Sequence, residues 1–379
     1  MILKSLLLTN FKNIASATLD FSPKINCFLG NNGMGKSNLL DAIYFLSFTK
    51  SFARLPEAML IRRGEDFAII NGRYLRNGTD EEINVGLRTG ARKSFRRGGK
   101  EYKRISSHIG LFPAVMVAPA DQNLVTGAAE ERRRFIDMII SQADMPYMEA
   151  LMRYNQALEQ RNRMLRDGFS DPMLYESVEM IMDGAAALIR RRRSENTALI
   201  TEIFTKYYSE IAGDGETAAM QYMISGDKYG PLALAFAQTR ERDTILKYTS
   251  VGPHRDDIAF TLDSMPVRQT ASQGQSKTFT IALRLAQFEF LRRFTGRTPL
   301  LLLDDIFDKL DAARVERIMN IVGREDFGQI FITDTNRKHL DEIMALSGPD
   351  YRLWTVDQGS FTQIGNAPRQ WPWEIYSKP

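Results

Sequence analysis

The sequence contains very little cysteine or histidine. Its 379 residues include a single cysteine, Cys27, and three histidines. One cysteine excludes a disulfide within the chain and favours a reducing compartment, so we expect a cytoplasmic protein in which Cys27 is a small buried apolar residue. No cysteine or carboxylate stands at ligand spacing near the histidines. The sequence therefore predicts neither a zinc site nor a catalytic triad.

Long hydrophobic runs are also absent. The apolar segment from Ile2 to Leu8 is interrupted by Lys4 and lacks a small-residue cleavage site, which indicates a strand rather than a signal peptide. No apolar run approaches the length of a membrane span. The composition is 44% hydrophobic and 25% charged, with a net charge of +4. These values are ordinary for a globular protein of two or three domains.

A phosphate-binding loop is the most specific motif in the chain. The motif G-x-x-x-x-G-K-[ST] is matched by Gly30, Asn31, Asn32, Gly33, Met34, Gly35, Lys36 and Ser37. An apolar strand, Asn26 to Leu29, precedes it, and an amphipathic helix, Ser37 to Phe48, follows. In such a loop the main-chain N–H groups and the helix N-terminus bind phosphates, Lys36 reaches the terminal phosphates, and Ser37 ligates Mg²⁺. The sequence therefore predicts a nucleoside triphosphate site with Mg²⁺.

An apolar strand that ends in two acids, Leu300 to Asp305, supplies the expected partner of this loop, with Asp304 holding Mg²⁺. It lies so far along the chain that we expect an α/β nucleotide domain split by an insertion. The insertion is dominated by helical patterns, with breaks at 168–172, 213–215 and 230–231 that predict helices of about 20 to 35 residues. The predicted divisions are an N-terminal ATPase part (1–125), a helical arm (126–245), a C-terminal ATPase part (246–364) and a tail (365–379).

A second anion-binding motif precedes the acidic strand. Ser272, Gln273, Gly274 and Gln275 stand at the start of an amphipathic helix, where on their own they predict only a helix cap. Along the chain they are followed by the acidic strand, then by Leu310-Asp311 and by Phe331 to Thr335. In this order of motifs they resemble the signature of ABC-type P-loop ATPases. The resemblance implies a head-to-head dimer in which the signature of one protomer caps the ATP bound by its partner. It also implies that Asp305 polarises the attacking water, with anchoring of the Mg²⁺ ligands as the alternative role.

Four further blocks narrow this resemblance to one family. They are Asn10 to Asn13, Pro119 to Asp137, Tyr154 to Asn162 and Ser250 to Asp257. Together they resemble the RecF family of bacterial recombination mediator ATPases, from Ile2 to about Phe361. The resemblance implies ATP-dependent dimerisation on duplex or gapped DNA, slow DNA-stimulated ATP hydrolysis that acts as a switch, and loading of RecA with RecO and RecR. It further implies that Lys12 and Thr335 contact the nucleotide and that Gln122 senses the γ-phosphate near Mg²⁺.

A basic segment is the first candidate for DNA binding. Residues 88–104 contain eight basic residues and one acid, Glu101. They predict a hairpin that turns at Gly98-Gly99 and presents Arg96, Arg97, Lys100 and Lys103 to DNA, or a charged hairpin that is merely solvated. The run Arg190 to Arg193 is a second, weaker candidate, because four consecutive helical residues point in different directions.

Alternative functions remain open at this stage. One is an ATPase subunit coupled to a transport or nuclease partner, although the Leu-Ser-Gly-Gly-Gln signature of transporters and a further carboxylate cluster are both missing. Another is a small-molecule kinase that acts as a monomer. His254 and Arg255 invite a catalytic interpretation, but a structural role for 252–257 is the stronger hypothesis.

Overall fold

The computed structural model describes residues 1–213, 215–226, 230–308, 310–346 and 350–366. The strands in these ranges are β1 (Ile2–Phe11), β2 (Ile14–Asp20), β3 (Ile25–Leu29), β4 (Phe67–Arg76), β5 (Thr79–Arg88), β6 (Ser94–Arg97), β7 (Lys100–Glu101), β8 (Ala114–Val117), β9 (Ala218–Met223), β10 (Asp257–Leu262), β11 (Met265–Pro266), β12 (Leu300–Asp304), β13 (Ile330–Asp334), β14 (Tyr351–Asp357) and β15 (Ser360–Asn366). The helices are α1 (Lys36–Phe48), α2 (Gln122–Thr126), α3 (Ala129–Ala143), α4 (Met145–Asp167), α5 (Pro172–Ala212), α6 (Leu232–Leu246), α7 (Val267–Thr270), α8 (Gln273–Thr295), α9 (Ala312–Val322) and α10 (Arg337–Leu346). None of the helices in this described part is long and apolar enough to cross a membrane.

The chain divides into two compact units. The first comprises Met1–Ala120 and the chain from Gly296 onward, and the second is Asp121–Thr295. The predicted arm was 126–245, whereas the second unit begins at Asp121 and ends at Thr295. The later end arises because α8 groups with the helical unit. Its Phe279 packs against Phe204 and Tyr208 of α5 and against Phe260 of β10. Of the predicted tail 365–379, everything after residue 366 lies outside the described residues.

The first unit is built on two sheets. One is antiparallel, in the order β2-β1-β4-β5-β6-β7, and the other has the order β15-β14-β3-β13-β12-β8. In the second sheet the strands from β14 to β8 are parallel, as their nearly continuous apolar sequences favour. Helix α1 begins at the end of the phosphate loop and buries the side chains predicted from its periodicity, namely Leu39, Leu40, Ile43 and Leu46. Because parallel strands end at the same edge, the segments that follow β3, β12 and β13 meet there.

The second unit is helical with one small sheet. The predicted breaks are confirmed, since α4 ends at Gly168 in a left-handed conformation (φ 73°) and α5 ends at Gly213. Helix α5 has 41 residues, about 60 Å at 1.5 Å per residue, so the predicted upper limit of 35 was wrong for this helix. Strands β9, β10 and β11 form an antiparallel sheet, although helical patterns were predicted around β9.

Two of the family-specific blocks meet inside this second unit. The His254 ring donates from Nε2 to the Thr249 carbonyl oxygen (3.0 Å), so its Nδ1 accepts from the Tyr154 hydroxyl (2.7 Å). Burial lowers the pKa of His254 to about 4, which leaves the ring neutral at pH 7. Asn162 accepts from the Thr249 main-chain N–H (2.8 Å). These contacts support the structural role predicted for the Gly252 to Asp257 segment.

Buried arginines hold the helices of this unit together. The fully buried Arg161 of α4 donates to Glu179 of α5 (2.9 Å) and to Asp243 of α6 (2.8 Å). Arg193 of α5 forms two hydrogen bonds with the Asp137 carboxylate of α3 (2.8 and 2.9 Å). Each of these ion pairs joins different helices, so their geometry fixes helix packing.

We predict that Arg161→Ala lowers the free energy of unfolding by about 3–5 kcal/mol, because Asp243 would remain buried without its cation and Glu179 would keep only its pair with Arg240. The matched control is Arg163→Ala on the same helix, where the exposed pair with Glu159 contributes at most about 1 kcal/mol. Urea unfolding followed by circular dichroism measures both. Equal losses in the two variants would contradict this account of the arm.

Candidate nucleotide site

The phosphate loop of the first unit requires its glycines. A Cβ atom on Gly30 would lie 2.4 Å from the Val356 carbonyl oxygen, and one on Gly35 would lie 2.9 Å from the Asn13 side chain. Gly33 and Gly35 also have positive φ angles of 81° and 112°, which favour glycine. The predicted contact residues Asn31, Asn32 and Gly33 are exposed. The main chain thus forms a tight turn whose outer side is open to a ligand.

Lys36 lies at the first position of α1 and is 4% exposed. Its ammonium donates to the carbonyl oxygens of Gly30 (2.7 Å) and Asn31 (3.0 Å). Met34, at the tip of the loop, accepts from the Gly359 N–H of the β14–β15 turn through its own carbonyl oxygen (2.7 Å). The cation is therefore held over the loop that would surround the phosphates, as the motif predicts.

The acidic strand brings oxygen ligands next to this loop. One carboxylate oxygen of Asp304, Oδ1, accepts from the Ser37 hydroxyl (2.9 Å) and from the Thr333 hydroxyl (2.7 Å). Burial raises the pKa of Asp304, and the hydrogen bonds from Thr333 and Ser37 oppose that shift. A hydroxyl and a carboxylate beside a phosphate loop are the hard oxygen ligands that Mg²⁺ prefers. The predicted pair of Ser37 and Asp304 therefore fits a magnesium ion.

Asp305 follows in an unusual backbone conformation. Its φ of 51° lies in the left-handed region, which costs energy for a residue with a side chain. Its N–H donates to both the carbonyl oxygen and the hydroxyl of Thr333 (3.2 Å each). The chain thus turns sharply at the position where the sequence predicts the water-polarising carboxylate.

Three further residues predicted to contact the nucleotide, Lys12, Thr335 and Gln122, lie in three different environments. The ammonium of Lys12 forms a salt bridge with Asp41 of α1 (2.6 Å). Thr335 is exposed just beyond β13, and the hydroxyl that reaches the acidic strand belongs instead to Thr333. Gln122 is half-buried at the start of α2, in the second unit. Their roles toward the nucleotide remain predictions.

The sequence interpretation missed several residues of this site. Thr333, Asn13 and Asp334 all contact the loop or the acids. Thr333 donates to Asp304, the Asn13 side chain lies against Gly35, and the Asp334 carbonyl oxygen accepts from the Gly30 N–H (3.3 Å). All three fall within segments singled out from the sequence, Asn10 to Asn13 and Phe331 to Thr335. No sequence pattern distinguishes a threonine that only packs in a strand from one whose hydroxyl binds a neighbouring carboxylate.

In the second unit, the signature segment forms a reciprocal helix cap. The Ser272 hydroxyl accepts from the Gln275 N–H (3.2 Å), and the Ser272 N–H donates to the Gln275 side-chain oxygen (2.8 Å). The Gln275 amide nitrogen donates to Glu216 (3.0 Å). Ser272 is exposed and Gly274 half-exposed, so the first turn of α8 is open to solvent. The segment is both a cap and an accessible helix N-terminus.

The predicted basic hairpin is confirmed, with β6 and β7 joined at Gly98-Gly99. Its four candidate side chains do not share one face. Arg96 pairs across the hairpin with Glu101, and Arg97 pairs with Lys100 on the opposite face. The Arg97 guanidinium donates to Glu81 (2.6 Å), whereas Arg96, Lys100 and Lys103 are exposed. The expectation that all four cations point freely to solvent was therefore wrong for Arg97.

The second basic candidate is mostly structural. Arg190 donates to Asp256 (3.0 and 2.9 Å), Arg193 is buried against Asp137, and Arg192 pairs with Asp144 (2.9 Å). Arg191 is the exposed member of the run. Consecutive helical residues point in different directions, so two of these arginines face the core of the unit.

Comparison with known proteins gives consistent matches over nearly the whole chain. The family model described as RecF/RecN/SMC N terminal domain matches residues 2–352. The DNA replication and repair protein RecF of Parabacteroides distasonis is 50% identical over 359 residues, which cover 95% of this chain and 98% of that relative. A solved structure described as the recombination mediator protein RecF-ATP in the RecFOR pathway has a TM-score of 0.86 at 26% identity, covering 96% of this chain and 98% of that one.

The head domain of an SMC protein from Pyrococcus yayanosii has the same fold. Its TM-score is 0.60 at 14% identity, with 99% of this chain and 98% of that chain covered. At this identity the likeness concerns the fold alone. The predicted fold class, an α/β ABC-type P-loop lobe with an inserted helical part, is confirmed.

We predict that Lys36→Met raises the Kd for ATP at least about tenfold, because a buried cation beside the phosphate loop is lost. Lys50→Met is the matched control, since Lys50 is exposed beyond the opposite end of α1. Titration with a fluorescent ATP analogue measures both constants. Parent-like affinity in Lys36→Met would contradict the assignment of this loop.

Proposed function

Because the chain belongs to the RecF family of DNA replication and repair proteins, we propose that it is an ATP-dependent switch that dimerises on ATP and then holds duplex or gapped DNA. The observation that carries the proposal is the cluster beneath the phosphate loop, where Ser37 and Thr333 both bind the Asp304 carboxylate. This cluster joins the loop to the acidic strand, as a nucleotide-operated site requires. Family membership favours this function over an ATPase subunit of a transport or nuclease complex.

ATP with Mg²⁺ is the ligand we propose for the first unit. The main chain from Gly30 to Gly35 would surround the phosphates, and Lys36 would donate to their terminal oxygens. Ser37 and Asp304 would hold Mg²⁺, which neutralises phosphate charge when bound. An RecF-ATP structure among the similar proteins supports the choice of nucleotide.

Dimerisation would complete this site. The open first turn of α8, with the Ser272 hydroxyl and main-chain N–H groups, is suited to a phosphate supplied by a second protomer. We propose a head-to-head dimer in which Ser272, Gly274 and Gln275 of each protomer contact the nucleotide of the other. ATP would then stabilise the dimer through both surfaces at once.

Hydrolysis would reset the switch. Asp305 is the carboxylate we propose to polarise water, with Lys36 stabilising the charge that develops on the transferred phosphate. An aspartate is one methylene shorter than the glutamate common at this position, and its main chain is held in a left-handed conformation. We therefore expect slow hydrolysis that limits the lifetime of the dimer.

DNA and two partner proteins complete the proposed function. A dimer would carry two copies of Arg96, Lys100 and Lys103, which doubles the phosphate contacts and makes DNA affinity depend on ATP and salt. Phosphate contacts carry no sequence information, so recognition would depend on DNA structure. In line with the RecFOR pathway named for a similar structure, we propose that the chain acts in the cytoplasm with RecO and RecR to load RecA.

The direct test of this function is the mass of the protein with and without ATP. We predict a monomer with ADP, a dimer with Mg²⁺-ATP, and a further shift to dimer with gapped duplex DNA, because nucleotide and DNA would each contact both protomers. Sedimentation velocity measures the species, and Lys36→Met should stay monomeric. A parent protein that remains monomeric with saturating ATP and DNA would contradict the switch and favour a monomeric kinase.

The basic hairpin gives a separate prediction. Replacing Arg96, Lys100 and Lys103 by Ala should weaken duplex binding and reduce the slope of log affinity against log salt by up to about 3 per protomer, about one for each phosphate contact. ATP affinity should be unchanged, since none of these side chains belongs to the phosphate loop. Arg191→Ala, as a comparison on the arm, should change the slope by less than about 1. An unaltered slope in the triple variant would exclude the hairpin as the DNA surface.

A further inference from the structure

Thr333 occupies a central position in the parallel sheet of the first unit. It lies on β13, directly beside Asp304 of β12 and beside Phe28 of β3. Its side chain is fully buried at the edge where the phosphate loop and the acidic strand end. The residue is therefore enclosed by the elements that carry the proposed nucleotide ligands.

The Thr333 hydroxyl makes two hydrogen bonds with opposite polarity. It donates to Asp304 Oδ1 (2.7 Å) and accepts from the Asp305 N–H (3.2 Å). A hydroxyl is a donor and an acceptor at once, so one oxygen can serve both groups. The bond to the carboxylate involves a charged acceptor and is the stronger kind.

The same end of β13 also touches the phosphate loop. The carbonyl oxygen of Asp334, the next residue, accepts from the Gly30 N–H (3.3 Å). Ser37, which closes the loop sequence, donates to the same Asp304 oxygen as Thr333 does. The end of β13 thus connects the first residue of the loop with both acids.

We propose that Thr333 is a positioning residue of the nucleotide site: its hydroxyl holds the Asp304 carboxylate toward the magnesium position and holds the Asp305 main chain in its left-handed turn. This inference rests on the proposed function, because it assigns Asp304 to Mg²⁺ and Asp305 to water. Packing does not require the hydroxyl, since valine has nearly the same shape. The hydroxyl can therefore be removed by itself, which breaks the bond to Asp304 and leaves the Asp305 N–H only its second acceptor, the Thr333 carbonyl oxygen (3.2 Å).

The test compares Thr333→Val, which removes the hydroxyl, with Thr333→Ser, which keeps it. The matched control is Thr355→Val on β14 of the same sheet, where the hydroxyl donates to the Thr362 carbonyl oxygen (3.2 Å). ATP affinity is measured by fluorescent-analogue titration with Mg²⁺ and with EDTA. Steady-state hydrolysis then gives kcat and KM separately, and thermal unfolding checks the fold.

In EDTA we expect Thr333→Val to bind ATP with the parental affinity. With Mg²⁺ its affinity for ATP should be about tenfold lower than that of the parent, which corresponds to one hydrogen bond to a charged group. Its kcat should fall about tenfold or more while KM changes less, because the position of Asp305 matters after binding. Thr333→Ser and Thr355→Val should keep the parental Mg²⁺ dependence and kcat.

Two results would overturn the inference. One is parental Mg²⁺ dependence and kcat in a folded Thr333→Val, and the other is an equal defect in Thr333→Ser, which would assign the effect to packing. If Thr333→Val does not fold, Thr333→Ala is compared with Thr333→Ser by the same criteria. A parent protein that binds no ATP would overturn the proposed function as well, whereas a binding parent with an unaffected valine variant overturns this inference alone.

Discussion

The nucleotide site depends on the hydrogen bonds that hold the buried Asp304 carboxylate. This acid is 5% exposed, and hydroxyls from α1 and β13 donate to one of its oxygens. An unpartnered charge at this depth would be costly, so the phosphate loop, the acidic strand and the strand between them must keep a fixed relation. Ser37 at the end of the loop contacts this buried acid directly, and the sharp turn at Asp305 is bonded to Thr333, which also holds the acid.

Buried charges also organise the helical unit, where they join helices and hold no proposed ligand. Arg161 and Arg193 join helices through carboxylates that are themselves largely buried. The block that contains Tyr154 and the block that contains His254 contact each other inside this unit through the hydrogen bond between these two side chains. These family-specific residues have a structural role in the unit that carries the signature. Their sequence pattern therefore identified the family but did not indicate a reactive group.

Much of the site could be predicted from the sequence because its motifs are local. The loop from Gly30 to Ser37 and the acidic strand have fixed spacing, and helix and strand patterns surround them. Contacts between distant segments could not be predicted in the same way. Thr333 reads as an ordinary strand residue, and Arg97 reads as a surface cation until Glu81 is placed beside it. The 41-residue α5 runs the whole distance between the predicted breaks at 168–172 and 213–215, so the breaks were right and only the predicted helix length was too short.

In the proposed dimer the phosphate loop is half of a site that a second protomer completes. Mixing two inactive variants, each defective in a different half, shows whether the halves come from different protomers. Lys36→Met lacks a working loop, and Ser272→Arg blocks the signature, so each alone should stay monomeric with ATP. Their mixture should form ATP-dependent heterodimers in sedimentation, because the intact loop of one protomer meets the intact signature of the other. A mixture that stays monomeric, while the parent dimerises on ATP, would contradict a shared site.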